Sequence, residues 1–97
     1  MEILEKKLAK TAIYTIKGSL DPNTSDTLME KVNVNGITEL IFDIKDVDYV
    51  FSAGLRVFLQ LQKKAESQGF SMKIINASDS VKQIFDIVGF SKIMDVK

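Results

Sequence analysis

Apolar and polar positions alternate along this chain in two rhythms, and the switches between them mark out its elements. Residues 2–8 and 11–18 carry the two-residue rhythm of strands, joined by a turn near Ala9-Lys10. In the second strand Ala12, Tyr14 and Ile16 face opposite to Ile13 and Thr15, and Gly18 closes it. Asp21-Pro22 reads as an N-cap followed by proline at the first helical position. The short helix it opens turns Leu28, Met29 and Val32 inward and ends before Asn35-Gly36. Residues 38–44 form a strand whose continuous run Leu40-Ile41-Phe42 predicts cover on both faces.

The longest helix spans about 53–68 and stops at Gly69. At 100° per residue, Gly54, Val57, Phe58, Leu61 and Ala65 centre one face, with Arg56, Gln60, Lys63 and Lys64 opposite. Leu55 and Leu59 fall on the margin of the apolar arc, toward Glu66, where they offer an exposed anchor. Residues 71–76 give a further strand around Met72, Ile74 and Ile75. Ser78 to Ser80 can cap a helix whose Val81, Ile84, Phe85 and Val88 repeat at helical spacing, with Gly89 ending it. Residues 90–95 leave room for a last short strand, and Met29, Met72 and Met94 read as gap-filling core. The order ββαβαβα predicts an α/β domain with a mixed sheet of four to five strands and three to four helices.

Composition narrows the chemistry. Ninety-seven residues suit one domain, 1–97, that buries about 65% of its unfolded surface. Thirteen basic and thirteen acidic residues cancel, so no cationic excess is available to neutralise nucleic-acid phosphates. There is no cysteine, which removes disulfides and thiolate chemistry, and no histidine, the commonest general base and metal ligand. No cofactor motif is present: no phosphate-cradling glycine loop, and no nucleophile paired with a base. An enzyme is therefore disfavoured. Asp43, Asp46 and Asp48 resemble a metal cluster only superficially, since a calcium loop also wants glycine and a bidentate glutamate at fixed spacing. No apolar run reaches membrane-spanning length, and Met1-Glu-Ile-Leu-Glu-Lys-Lys7 lacks the pattern of a secretory signal. The expected location is the cytoplasm.

One residue stands out. Ser52 lies where a buried strand runs out through a turn into the long helix. A hydroxyl there either caps the helix or offers an address for phosphate at the positive end of the helix dipole.

The motifs around it resemble a known family. An apolar strand ending in Asp43, then Val47, then Ser52-Ala53-Gly54-Leu55 opening a helix, is similar to the STAS domain. That family takes in sulfate transporters and anti-sigma factor antagonists. Gly18-Ser19-Leu20-Asp21 resembles the family's turn after its second strand, and Val81, Ile84, Phe85 and Gly89 resemble its final helix. The resemblance implies a bacterial regulatory binding module without cofactor. Its partner would be an anti-sigma factor that is also a serine kinase, which phosphorylates Ser52 and dissociates, with a phosphatase resetting the cycle. It also implies a partner surface of Asp21, Phe51, Ser52, Ala53, Gly54, Leu55, Arg56 and Leu59. Two positions depart from the family. Phe51 stands where aspartate usually precedes the serine, and is either core or an aromatic contact. Arg56 stands where glycine is common and could pair with a phosphate on Ser52. The competing reading is a constitutive STAS adaptor, on a transporter ATPase or a signalling scaffold, with no phosphorylation.

Overall fold

The computed structural model describes residues 2–97. Strands β1 (Glu2–Leu8) and β2 (Thr11–Lys17) form an antiparallel hairpin in which Ile3 lies opposite Ile16 and Leu8 opposite Thr11. Helix and strand then alternate: α1 (Pro22–Lys31), β3 (Glu39–Asp46), α2 (Ser52–Gln68), β4 (Ser71–Ile75) and α3 (Asp79–Ile87). A 3-10 turn (Phe90–Lys92) leads into a two-residue strand β5 (Asp95–Val96). The sheet order is β1-β2-β3-β4-β5, with every pair after the first parallel.

That order determines where the core sits. Each crossover steps the sheet in the same direction, so right-handed connections stack the three helices on one face. The burial pattern agrees. Ala12, Tyr14, Ile16, Leu40, Phe42, Ile44, Met72 and Ile74 are buried beneath the helices. Their alternates Ile13, Ile41 and Ile75 are only partly covered, and Lys73 on the same side pairs with Glu39 at 3.2 Å. The expectation of cover on both faces of Leu40-Ile41-Phe42 is therefore corrected. A continuous apolar run is compatible with one covered face, and the topology leaves the other bare.

An aromatic line crosses the core from strand to helix. Tyr14 meets Phe42 at 5.8 Å between ring centroids, Phe42 meets Phe58 at 5.2 Å, and Phe58 meets Phe85 at 5.9 Å. It ties β2, β3, α2 and α3 together, each ring adding a large buried apolar area. The Tyr14 hydroxyl donates to Glu5 Oε2 at 2.7 Å and accepts from the Asn33 N–H at 2.9 Å, so its polar end is satisfied at the edge of the core.

The inward face of α2 is Gly54, Val57, Phe58, Leu61 and Ala65, as the helical spacing predicts. Gly69 ends α2 in the left-handed conformation. Elsewhere the helices are less deeply seated than expected. Met29 is exposed because Ser25 and Leu28 occupy the inward face of α1, whereas Met72 and Met94 are buried. In α3 only Val81 and Phe85 are buried. The helix stops at Ile87, so Val88 lies past its last turn and is exposed. The last strand is shorter and later than residues 90–95, because Gly89 adopts φ 77° and turns the chain into the 3-10 segment first.

Candidate functional site

Two connections run side by side at one end of the sheet. The β2–α1 turn and the β3–α2 loop are laced by backbone bonds: Gly18 N–H to Asp46 O at 3.0 Å, Leu20 N–H to Tyr49 O at 2.9 Å, and Phe51 N–H to Leu20 O at 2.9 Å. Leu20 and Val50 form an isolated parallel bridge. Leu20, Val47 and Val50 plunge into the core and pin both segments. What remains outside is Asp46, Asp48, Tyr49, Phe51 and Ser52.

The close approach of α2 to this lacing depends on Gly54. A Cβ added there would lie 2.8 Å from Leu20 Cβ and 3.0 Å from Val50 Cγ1. Those distances are shorter than ordinary carbon contacts, and both atoms belong to buried side chains. Gly54 is itself buried, so the neighbour it admits is the domain's own turn.

The helix starts on the two connections differ. At α1, Asp21 Oδ1 accepts from the Thr24 N–H at 2.9 Å and Thr24 Oγ1 accepts from the Asp21 N–H at 2.8 Å, with Pro22 at the first position. This reciprocal pair satisfies the end of the helix internally. The Thr24 N–H also holds the Asp21 carboxyl below its ordinary pKa. Asp48 is held low as well, chiefly by the Ser19 hydroxyl, which donates to it at 2.7 Å.

At α2 the cap position belongs to Phe51, in extended backbone, and no side chain bonds to the first-turn N–H groups. Ser52 is therefore the first helical residue and not the N-cap. It is exposed, at the open positive end of a 17-residue helix. Phe51 is 45% exposed and so is not core; it stacks edge-on against Tyr49, itself 49% exposed, at 4.6 Å. Arg56 is exposed and joins none of the ion pairs among the described residues.

Asp21, partly buried, follows Leu20 at the Leu20–Val50 bridge, so its backbone runs alongside that of Phe51. Ala53, Leu55 and Leu59 are partly buried, and Leu55 packs against the core. The exposed apolar side chains next to Ser52 are the aromatics Tyr49 and Phe51, and the strand and helix rhythms do not single out Tyr49. Its signal lay in the alternation Tyr49-Val50-Phe51, which turns both rings away from a core valine. Asp43, Asp46 and Asp48 do not converge: Asp43 accepts from the Lys45 N–H and from Asn76, and Asp48 from Ser19. Among the described residues no pocket opens, and no helix is long and apolar enough to cross a membrane.

A protein-family model described as the STAS domain matches residues 3–97. The chain belongs to the STAS domain family. This STAS domain is 35% identical over 83 residues to the anti-sigma-B factor antagonist of Bacillus subtilis (strain 168), covering 84% of this chain and 76% of that one. Among solved structures it is similar to the phosphorylated form of the Bacillus cell fate determinant SpoIIAA. The TM-score is 0.78 at 16% identity, covering 99% of this chain and 91% of that one. The unphosphorylated SpoIIAA, an anti-sigma factor antagonist, matches with TM-score 0.78 at 14% identity over 99% and 87%. Those structural likenesses establish the STAS fold, a five-stranded mixed sheet with its helices on one side. In this STAS domain the laced connections bear the Gly18–Asp21 turn and the Ser52–Leu55 helix start.

Proposed function

We propose that this STAS domain is an anti-sigma factor antagonist. Residues 1–97 act as one unit that docks on an anti-sigma factor/serine kinase through the end of the molecule carrying Asp21, Phe51, Ser52 and Arg56. Ala53, Gly54, Leu55 and Leu59 serve from behind, seating the helix that presents Ser52. Phosphorylation of Ser52 by the partner switches the complex off, and a phosphatase restores it. No reaction is catalysed by the domain itself, and the cycle runs in the cytoplasm.

The observation that carries this reading is the exposed Ser52 hydroxyl at the first residue of a helix that no side chain caps. The antagonist names of the relatives support it. A phosphoserine brings about −1.5 to −2 charges. The free N–H groups and dipole of α2 favour that charge, and Arg56, one helical turn on, lies within side-chain reach. The domain therefore tolerates its own phosphate. The cost falls on the complex, whose interface must strip water from a dianion, and about 1.4 kcal/mol is enough for a tenfold loss of affinity.

The test is to incubate the protein with ATP and the serine kinases of its own genome, and to look for phosphate on Ser52 by mass spectrometry. A kinase that binds the domain and leaves Ser52 unmodified would remove the switch. The reading left would be the constitutive adaptor, on a transporter ATPase or signalling scaffold. One observation favours that second reading: an exposed aromatic, Phe51, stands immediately beside the serine.

A further inference from the structure

We infer that Tyr49 and Phe51 form a preorganised aromatic anchor that seats in an apolar pocket of the protein partner, a pocket whose rim is basic. This rests on the reading of the α2 start as the docking surface, and it assigns the grip on the partner to two rings beside the serine.

Four observations converge on it. Two neighbouring aromatic rings are each about half exposed, at 49% and 45%, in the loop of five residues between β3 and α2. Aromatic side chains are the residues most often found at the energetic centre of protein interfaces. The rings are held before any partner arrives. They contact each other edge-on at 4.6 Å, and Val47 and Val50 lock the backbone on either side into the core. The Tyr49 carbonyl and the Phe51 N–H are both bonded to Leu20, so the loop cannot swing. Binding through such a platform loses little conformational entropy, which is what allows a small patch to act as an anchor.

Charge names the partner's rim. Asp46 and Asp48 are exposed within three residues of Tyr49, with Lys45 beside Asp46 the one exposed cation of that stretch, and Asp21 follows Leu20 at the Leu20–Val50 bridge. The hydrogen bonds to Asp21 and Asp48 favour their ionised forms. Lysine or arginine around an apolar pocket complements that arrangement and speeds encounter. A phosphate on Ser52 acts differently from these rim carboxylates. It would be placed next to Phe51, where the interface excludes water, whereas Asp46 and Asp48 stay solvated.

The experiment uses the full chain in cells of its own organism, with Tyr49 replaced by the photocrosslinker p-benzoylphenylalanine and the same replacement at Gln68 as control. The captured protein is then purified and titrated against the parent and against Tyr49→Ser and Phe51→Ser. We expect an adduct from position 49 with an anti-sigma factor and none from position 68. Each serine variant should lose about 30-fold in affinity with a thermal midpoint close to the parent's. Asp46→Asn should slow association and flatten its dependence on salt. If the captured protein is not an anti-sigma factor yet shows the same losses, the anchor stands and the antagonist reading falls. If an anti-sigma factor binds and both variants lose less than tenfold, the anchor falls and the antagonist reading stands. Adducts only between two copies of this chain, or none at all, overturn the anchor, and faster association of Asp46→Asn overturns the basic rim.

Discussion

The starts of α1 and α2 lie on adjacent, hydrogen-bonded connections, yet one is closed and the other open. At α1, Asp21 and Thr24 satisfy each other's backbone groups and Pro22 has no N–H to satisfy. At α2, the cap residue is a phenylalanine whose side chain accepts nothing, and the first helical side chain is an exposed serine. The same local problem has been solved from within at one end and left to solvent or an incoming anion at the other. The closed end adds the stability of a capped helix, and the open end beside it is where charge can be added without unfolding the domain.

The contrast can be broken most forcefully at the seam between the two. Gly54→Ala drives a methyl group against Leu20 and Val50, and overpacking of this kind costs about 1–3 kcal/mol. Replacing glycine inside a helix returns about 1 kcal/mol. The net loss expected is up to about 2 kcal/mol, read from the urea midpoint; a variant as stable as the parent would mean that Leu20 yields. Next in size is Asp21→Ala, which removes the internal solution at α1 and should lower the thermal midpoint by about 4–8 °C, with Asp21→Asn recovering most of it.

Adding charge sharpens the contrast further. Ser52→Asp places a carboxylate at the open end and should stabilise the domain by about 0.3–1 kcal/mol while weakening the partner at least tenfold. Asn23→Asp, at the closed end beside the Asp21 carboxylate, should bring no gain. Differential scanning calorimetry on the two variants measures the difference directly, and equal shifts would erase it. The smallest effect is acid sensitivity. Asp21 and Asp48 have folded pKa values below the ordinary one, so the unfolded chain takes up protons first as pH falls. Their contribution is complete above pH of about 4 and disappears as pH drops through the folded values. The double variant Asp21→Asn, Asp48→Asn should therefore show a shallower fall in thermal midpoint below that pH than the parent.

Local chemistry made much of this readable from the residues alone. The inward face of α2 follows from spacing, and the α1 cap from the pair Asp21-Pro22, because both depend on neighbours in the chain. Ser52 lies one residue beyond the cap position of α2. Capping turns on whether Phe51 or Ser52 carries the extended backbone, and that is decided by the bond from the Phe51 N–H to Leu20, thirty-one positions earlier. The bare side of the sheet was hidden for a similar reason. Leu40-Ile41-Phe42 reads the same under one layer of helices or two, and only the order of the strands distinguishes them. Tyr49 and Gly54 took their roles from the lacing of two connections, which no single stretch of sequence displays.

The strand order carries a consequence for biosynthesis. Because the sheet order is the chain order, every strand leaving the ribosome finds its neighbour already made, and none has to be inserted between two others. The β1–β2 hairpin is complete within the first seventeen residues, and each later crossover extends the same edge by one step. Nascent chains should therefore acquire protease-resistant structure from the hairpin outward, with the two-residue β5 added last.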